Sequence, residues 1–435
     1  MSVKSARFTV LELLNNMDGK AYSNLILNSA LKESGLLERD KGFVSKLFYG
    51  VVERKLTLEY IISLYSSKPL HKLDKSVVNV LKMGVYQLLY MDNVPDSAAV
   101  NESVTLAKQC GKSSAAGFVN AVLRSFIRDG KRVTFPDDVL KRMSIEYSCS
   151  EGLVRQLCTD YSVEAVQHLL ENSVTEHKMY LRVNSLKISH EKLIDEFEKF
   201  GVHAEKCLHA ENCISAENLG SLESSVLFKS GLFHVQDLSS QLCCMALNPE
   251  AGETVIDICS APGGKAFTFA EMMNNSGRIL ACDLHEKRVN LIKNGAERLG
   301  ITSIEALCND AKIFNESFPQ ADKVLCDVPC SGFGVIRSKP ELKYTEIEAI
   351  KGLPKIQYDI LTTAAKYLKC SGELVYSTCT LNRAENDDII DRFLAENKNF
   401  VPVEINGYND YKMTIFPKDF DCEGFFISKI RKVGN

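Results

Sequence analysis

From Thr254 onward, short unbroken apolar runs alternate with longer stretches of helical periodicity. TVIDIC is followed by AFTFAEMM, and RILACD by EKRVNLIKNGAERLG; IEALC, KVLCDV and ELVYSTC come next, the last preceded by a helical stretch over 355–367. Apolar runs this short, closed by turn residues, read as strands buried on both faces. Their alternation with helices specifies a doubly wound, mostly parallel sheet, because a parallel connection needs a crossover long enough to hold a helix. Such a sheet binds ligands beyond the carboxyl ends of its strands. The residues that close each run are therefore the candidates for chemistry.

The sheet accounts for only the last part of a chain of 435 residues, and a chain of that length is expected to hold more than one core. Residues 1–130 read as all-helical. Apolar residues recur at helical spacing in FTVLELLNNM, FVSKLFYGVVERKLTLEYIISLY and VVNVLKMGVYQLLYM, with further helices in SAAVNESVTLAKQC and AAGFVNAVLRSFIRDG. Pro69 and Pro95 fall between these runs, and Gly130 marks a boundary. In the next stretch MYLRVNSL alternates as a strand, SHEKLIDEFEKFG is a helix closing at Gly201, and HAEKCLHA and LFHVQDLSSQ lead towards the sheet. The expected organisation is a helical domain over 1–130, a small α+β domain over 131–245 and the α/β domain over 246–435.

Charge divides in the same way. The first 130 residues hold 17 Lys and Arg against 12 Asp and Glu, a balance of +5, so the total of −4 leaves −9 for the remainder. A basic module joined to an acidic one points to nucleic acid, although the same balance would serve a helical domain merely kept in solution. No apolar stretch is long enough to span a bilayer, and the N-terminus MSVKSARFTVLELLNN lacks the apolar core and cleavage site of a signal peptide. A cytoplasmic monomer with no membrane partner is expected. None of the 15 cysteines is spaced Cys-x-x-Cys and the eight histidines show no ligand spacing, so no metal is expected.

The turn after the first strand, DICSAPGGK over 257–265, carries more than a turn needs. Gly263 and Gly264 allow backbone to approach a ligand, and the helix that follows offers unpaired N–H groups. A P-loop does not fit, because Ala266 stands where Ser or Thr must hold magnesium, and the dinucleotide pattern G-x-G-x-x-G is absent. Asp283 closes the second strand, where it can accept from both hydroxyls of a ribose; Asp310 closes the third, where it can bond an adenine amino group. This ordered set suits S-adenosylmethionine. The plain alternative is a glycine turn with solvated acids at strand ends.

Two later strand ends bear on the chemistry. KVLCDVPCSGFG brings Asp327, Pro329 and Cys330 to the ligand edge, and ELVYSTCT brings Cys379. Methylating an amine needs no thiol. Methylating C5 of a pyrimidine does, because that carbon is a poor nucleophile until a thiolate adds at C6. A base then removes the C5 proton and the thiol leaves. Two cysteines with a carboxylate for the ring nitrogen meet that need, whereas a lone Pro-Cys is usually a turn beside a buried thiol.

DICSAPGGK, DVPCSGFG and YSTCT together resemble the RNA 5-methylcytosine methyltransferases of the Nop2/Sun type. LRVNSLK and GLFHVQDLSSQ resemble that family's preceding motifs. LFYGVVER, PDSAAVNESVTLAK and GFVNAVLRSFIR resemble a NusB-like RNA-binding domain, which marks the bacterial RsmB (Sun, Fmu) branch. The resemblance implies an all-α NusB-like domain, a small α+β domain and an α/β Rossmann-like class I methyltransferase domain. It implies methylation of a cytosine in a 16S rRNA hairpin near the P site. By motif, Cys379 is the nucleophile, Cys330 assists breakdown of the adduct, and Asp327 and Lys265 lie beside cofactor and base. Cys259, Ser260, Ala261, Pro262, Gly263, Gly264, Lys265, Asp283, Arg288, Asp310 and Asp327 would hold S-adenosylmethionine. Ser260 and Ala266 stand where the family has Ala and Thr, and Glu423 where it has Asp; Glu341 and Tyr344 stand where it has Asp and Trp, which bears on packing around the base. Three other readings remain: another RNA such as tRNA, a DNA-enzyme-like mechanism with Cys330 attacking, and a non-catalytic RNA-binding scaffold.

Overall fold

Several helices of this chain begin where a side chain accepts a free N–H of the first turn. In the computed structural model, which describes residues 5–17, 23–33, 35–175, 178–217, 219–220, 222 and 224–434, the chain forms two units. One comprises Met1–Val174 with Ile336–Ile347, the other Thr175–Val335 with Glu348–Asn435.

The first unit is helical. Ser5 caps Ala6–Asn16, Asp74 caps Lys75–Tyr90, and Asp138, Ser150 and Ser162 cap Val139–Glu146, Glu151–Asp160 and Val163–Asn172. The long run FVSKLFYGVVERKLTLEYIISLY makes two helices, Glu38–Glu53 and Lys55–Tyr65, because Arg54 between them leaves helical angles. Leu47, Phe48, Leu58, Ile62, Leu81, Leu123 and Phe126 form the core. Gly50 lets the Tyr86 ring lie against its helix, where a Cβ would stand 1.9 Å from the ring. The expectation over 131–245 holds one helix, SHEKLIDEFEKFG; three more form in its first part, Val139–Glu146, Glu151–Asp160 and Val163–Asn172, each burying two or three residues.

Ile336–Ile347 joins this unit from a distant part of the chain. The Tyr344 hydroxyl donates to the carbonyl of Val52 at 2.7 Å and accepts the backbone N–H of Lys55 at 3.2 Å. Lys343 is fully buried, with the carbonyl oxygen of Tyr147 at 3.3 Å, and burial pushes its pKa down to about 8. Tyr344 thus packs within the helical unit.

The second unit holds two sheets. Strands β1 (Met179–Val183), β2 (Ala204–Lys206), β3 (Cys213–Ala216) and β4 (Phe233–Val235) form an antiparallel sheet in the order β2-β3-β1-β4. The helix His190–Lys199 covers it with Leu193 and Phe197. The larger sheet uses β5 (Thr254–Asp257), β6 (Arg278–Asp283), β7 (Ile304–Cys308), β8 (Ala321–Asp327), β9 (Leu368–Thr378), β10 (Phe400–Pro402), β11 (Lys412–Ile415) and β12 (Phe425–Lys432). Its order is β10-β12-β9-β8-β5-β6-β7, with β11 on β12. The strands from β5 to β9 pair in parallel, while β10, β11 and β12 join antiparallel, so the sheet is mixed. Chain order reverses between β5 and β8. Ligands bind doubly wound sheets at the carboxyl ends beside such a reversal.

Candidate active site

The turn at the end of β5 is shaped by its own backbone. Ser260 N–H donates to Cys282 O at 2.7 Å, and Gly263 N–H to Ser260 O at 2.8 Å. Gly263 has φ +108°, and a Cβ there would stand 2.5 Å from the Phe267 ring, so glycine is required. Gly264 then opens the helix Gly264–Met272, and its first N–H groups face the turn. Asp257 is buried, and neither carboxylate oxygen has a hydrogen-bond partner; the same holds for Ser260 Oγ. Burial pushes the Asp257 carboxyl up to about 7, against the pull of nearby Ser260.

Asp283, at the end of β6, accepts the backbone N–H of His285 on Oδ1 at 3.1 Å, and its Oδ2 lies 3.3 Å from Arg288. Arg288 also donates to Ala261 O at 2.7 Å. Arg288 therefore braces the β5 turn against the β6 carboxylate. Asp310, beyond β7, is half-buried and accepts the backbone N–H of Lys312 at 3.0 Å. The backbone of Cys259 belongs to the turn, but its thiol packs towards the core, where burial holds it well above the ordinary thiol range.

The strands β8 and β9 run side by side with Asp327 opposite Ser377. Asp327 Oδ1 accepts the Ser377 hydroxyl at 2.8 Å, and Oδ2 accepts Lys265 Nζ at 2.8 Å. Burial works to lower the Lys265 pKa, but the Asp327 carboxylate outweighs it and the net direction is upward. Just beyond these strand ends, the Sγ atoms of Cys330 and Cys379 lie 3.2 Å apart. The hydrogen bond shared with Cys379, and then burial, hold the Cys330 thiol well above its ordinary range. The two loops pack backbone to backbone: Gly334 N–H donates to Cys379 O at 3.0 Å, and Gly424 N–H to Gly334 O at 2.9 Å. A Cβ at Gly334 would meet Gly424 O at 1.9 Å, so no larger residue fits.

These residues can be set against known proteins. Residues 244–431 match the model of the 16S rRNA methyltransferase RsmB/F family, 4–128 that of the NusB family, and 150–222 that of a ferredoxin-like domain of RsmF/B-like methyltransferases. A Bacillus subtilis protein named "Probable ribosomal RNA small subunit methyltransferase B" is 38% identical over the full length of both chains. The chain belongs to the RsmB/F family of 16S rRNA methyltransferases. A Proteus mirabilis protein named ribosomal RNA small subunit methyltransferase B is 31% identical over 94% of each chain. Among solved structures, PH0851 superposes with a TM-score of 0.83 at 24% identity, covering 99% of this chain and 100% of its own. A methyltransferase homologue from Pyrococcus horikoshii superposes at 0.60 with 27% identity, over 69% of this chain and 100% of its own.

In this RsmB/F-family chain the turn residues, Asp283, Arg288, Lys265, Asp327 and both thiols all stand at the carboxyl edge of the central sheet. Motif reading does not single out Ser377 or Glu385, and it gives Asp257 only in part. Ser377 lies near the end of β9, opposite Asp327 on β8, a pairing that no sequence motif marks. Asp257 was visible in its motif but not as an unpartnered acid. Glu385, which bonds Ser331 beside Cys330, carries no local signal at all.

Proposed function

We propose that this RsmB/F-family methyltransferase methylates C5 of a cytosine in 16S rRNA, in the cytoplasm, with S-adenosylmethionine as methyl donor. The observation that carries this reading is the pair of thiols 3.2 Å apart beside the Lys265–Asp327 pair. A methyltransferase acting on nitrogen or oxygen has no use for such a pair.

The β5 turn fits the cofactor. Its helix start has no side-chain cap, and the buried oxygens of Asp257 and Ser260 have no partner. Cys259 to Lys265 would contact it chiefly through backbone, Asp283 through the ribose hydroxyls, and Asp310 through the adenine edge. Arg288 would act by holding Asp283 and Ala261 in place. S-adenosylmethionine supplies an electrophilic methyl group when bound there.

The rest falls to the chain's own residues. The Cys379 thiolate adds to C6 of the cytosine, forming the S–C6 bond and turning C5 into an enamine carbon able to accept the methyl group. Asp327, fixed by Lys265 and Ser377, faces the ring nitrogen. After loss of the C5 proton to a base, the S–C6 bond breaks and its electrons return to Cys379. Cys330, whose sulfur lies 3.2 Å from that of Cys379, would donate a proton to stabilise the departing sulfur. The cytosine must be unstacked for C6 to be reached from above its plane, as in a loop or a flipped base.

Bisulfite mapping of 16S rRNA from cells with and without this chain tests the reading. One cytosine is expected to lose its mark on deletion and to regain it with the wild-type chain but not with Cys379→Ser. An unchanged map would refute the assignment.

A further inference from the structure

Glu385 lies shortly beyond Cys379, and its side chain is fully buried. Four donors converge on its two oxygens. Oε2 accepts the backbone N–H of Ser331 at 2.9 Å and Nε2 of Gln357 at 2.8 Å; Oε1 accepts the Ser331 hydroxyl at 2.5 Å and Nδ2 of Asn382 at 2.9 Å. Ser331 is the neighbour of Cys330, and Asn382 lies in the loop that carries Cys379. Two more bonds tighten the assembly. Gln357 also donates to the carbonyl of Pro329 at 3.0 Å, and Ser331 Oγ lies 2.7 Å from Thr380 Oγ1. One carboxylate thus gathers both thiol loops.

The chemistry of the converging groups explains why the residue is Glu. Desolvating a carboxylate is far more costly than desolvating an amide, so packing alone would favour Gln or Met here. All four converging groups are donors, and a carboxylate accepts on every side, whereas an amide would turn its own N–H groups against two of them. We infer that Glu385 is a positioning residue that sets the approach of the Cys330 thiol to Cys379, an inference resting on the reading of these thiols as the reacting pair. Glu385 acts through Ser331 and Asn382, and it has no need to touch RNA or cofactor. Its charge works in the same sense as the shared hydrogen bond and burial, which hold Cys330 as a thiol.

The test uses the full-length protein, S-adenosylmethionine and a 16S rRNA hairpin containing the mapped cytosine. Glu385→Gln is expected to lower kcat about tenfold or more while KM stays within about threefold, because positioning is lost without loss of substrate binding. With Cys330 misplaced, adduct at Cys379 outlasts methyl transfer, so denaturing gels show a larger trapped fraction per folded enzyme. A merely structural role would lower the melting temperature and the active fraction but leave that partition alone. In a Cys330→Ala background, Glu385→Gln should change release by less than about twofold, since both act on one step. Wild-type partition in Glu385→Gln, or fully multiplicative losses in the double variant, would overturn the inference. Ser331→Ala removes one of the four bonds and should shift the partition the same way by less; it decides the matter if Glu385→Gln does not fold. Failure of the underlying reading looks different: Cys379→Ser would then still form the adduct and turn over, whatever Glu385 does.

Discussion

Two sulfur atoms 3.2 Å apart cannot both be thiolates at modest cost, because like charges at that distance repel strongly away from bulk water. Whichever ionises keeps its neighbour protonated. If Cys379 attacks, as proposed, Cys330 is the partner that stays protonated, and the hydrogen bond with Cys379 and burial both raise its thiol in that sense. Cys379→Ser should therefore form no RNA adduct and show almost no turnover. Cys330→Ala should still attack and transfer the methyl group but release product slowly, so that adduct accumulates on denaturing gels. The reverse pattern would assign the attack to Cys330. At the cofactor turn, a charge-assisted hydrogen bond contributes about 1.5–3 kcal/mol, so Asp283→Ala should weaken S-adenosylmethionine roughly tenfold or more. Arg288→Ala should weaken it less, because it loosens Asp283 and Ala261 without removing a contact; calorimetry that ranks them the other way would reject the bracing role. Strand-end residues were legible because a strand brings its last residue to a known edge. Glu385 was not, since its four donors come together only in the folded chain.

At the scale of elements, the apolar runs from β5 to β9 could be read because each is buried on both faces. The antiparallel edge was hidden: FFISKIRK in β12 mixes charge with apolar residues, and the reason lies in its neighbours. Glu373 on β9 meets Lys323 of β8 at 2.7 Å, and Lys429 and Arg431 of β12 at 3.1 and 2.6 Å. Burial works to raise the Glu373 pKa, but the three cations prevail and hold it at about 2. The folded value lies below the unfolded one of about 4.3, so the bridge stabilises fully above that pH and its contribution is lost as pH falls through about 2. Glu373→Gln should cost about 1–3 kcal/mol at pH 7, allowing for partial screening at the more exposed Arg431. The gap to wild type should narrow steadily below about pH 4. Thermal unfolding at pH 7 and pH 3 checks this; an equal gap at both would mean that the cations hold β12 without Glu373.

For the whole molecule, the sequence divides charge between a basic helical part and an acidic remainder, but it does not reveal that Ile336–Ile347 packs with the helical part. That grouping is non-local and leaves no period or composition to read. It also decides how RNA binding should be tested. A chain lacking the first helices would strand Tyr344, which bonds Val52 and Lys55, and would strip packing from the buried Lys343. Charge must instead be removed within the intact chain. Arg124 and Arg128 lie one turn apart on the exposed face of Ala116–Arg128, held by Asn120 at 2.8 Å and Ser125 at 3.0 Å. If the helical unit holds rRNA by its phosphates, each contact releases about one counterion. The double change Arg124→Ala with Arg128→Ala should then weaken hairpin binding and reduce the slope of log affinity against log salt by roughly 1.5–2. Cofactor affinity should stay at the wild-type value, because neither arginine belongs to the sheet edge. A salt slope equal to wild type would place the phosphate contacts elsewhere and remove this face of the helical unit from the RNA interface.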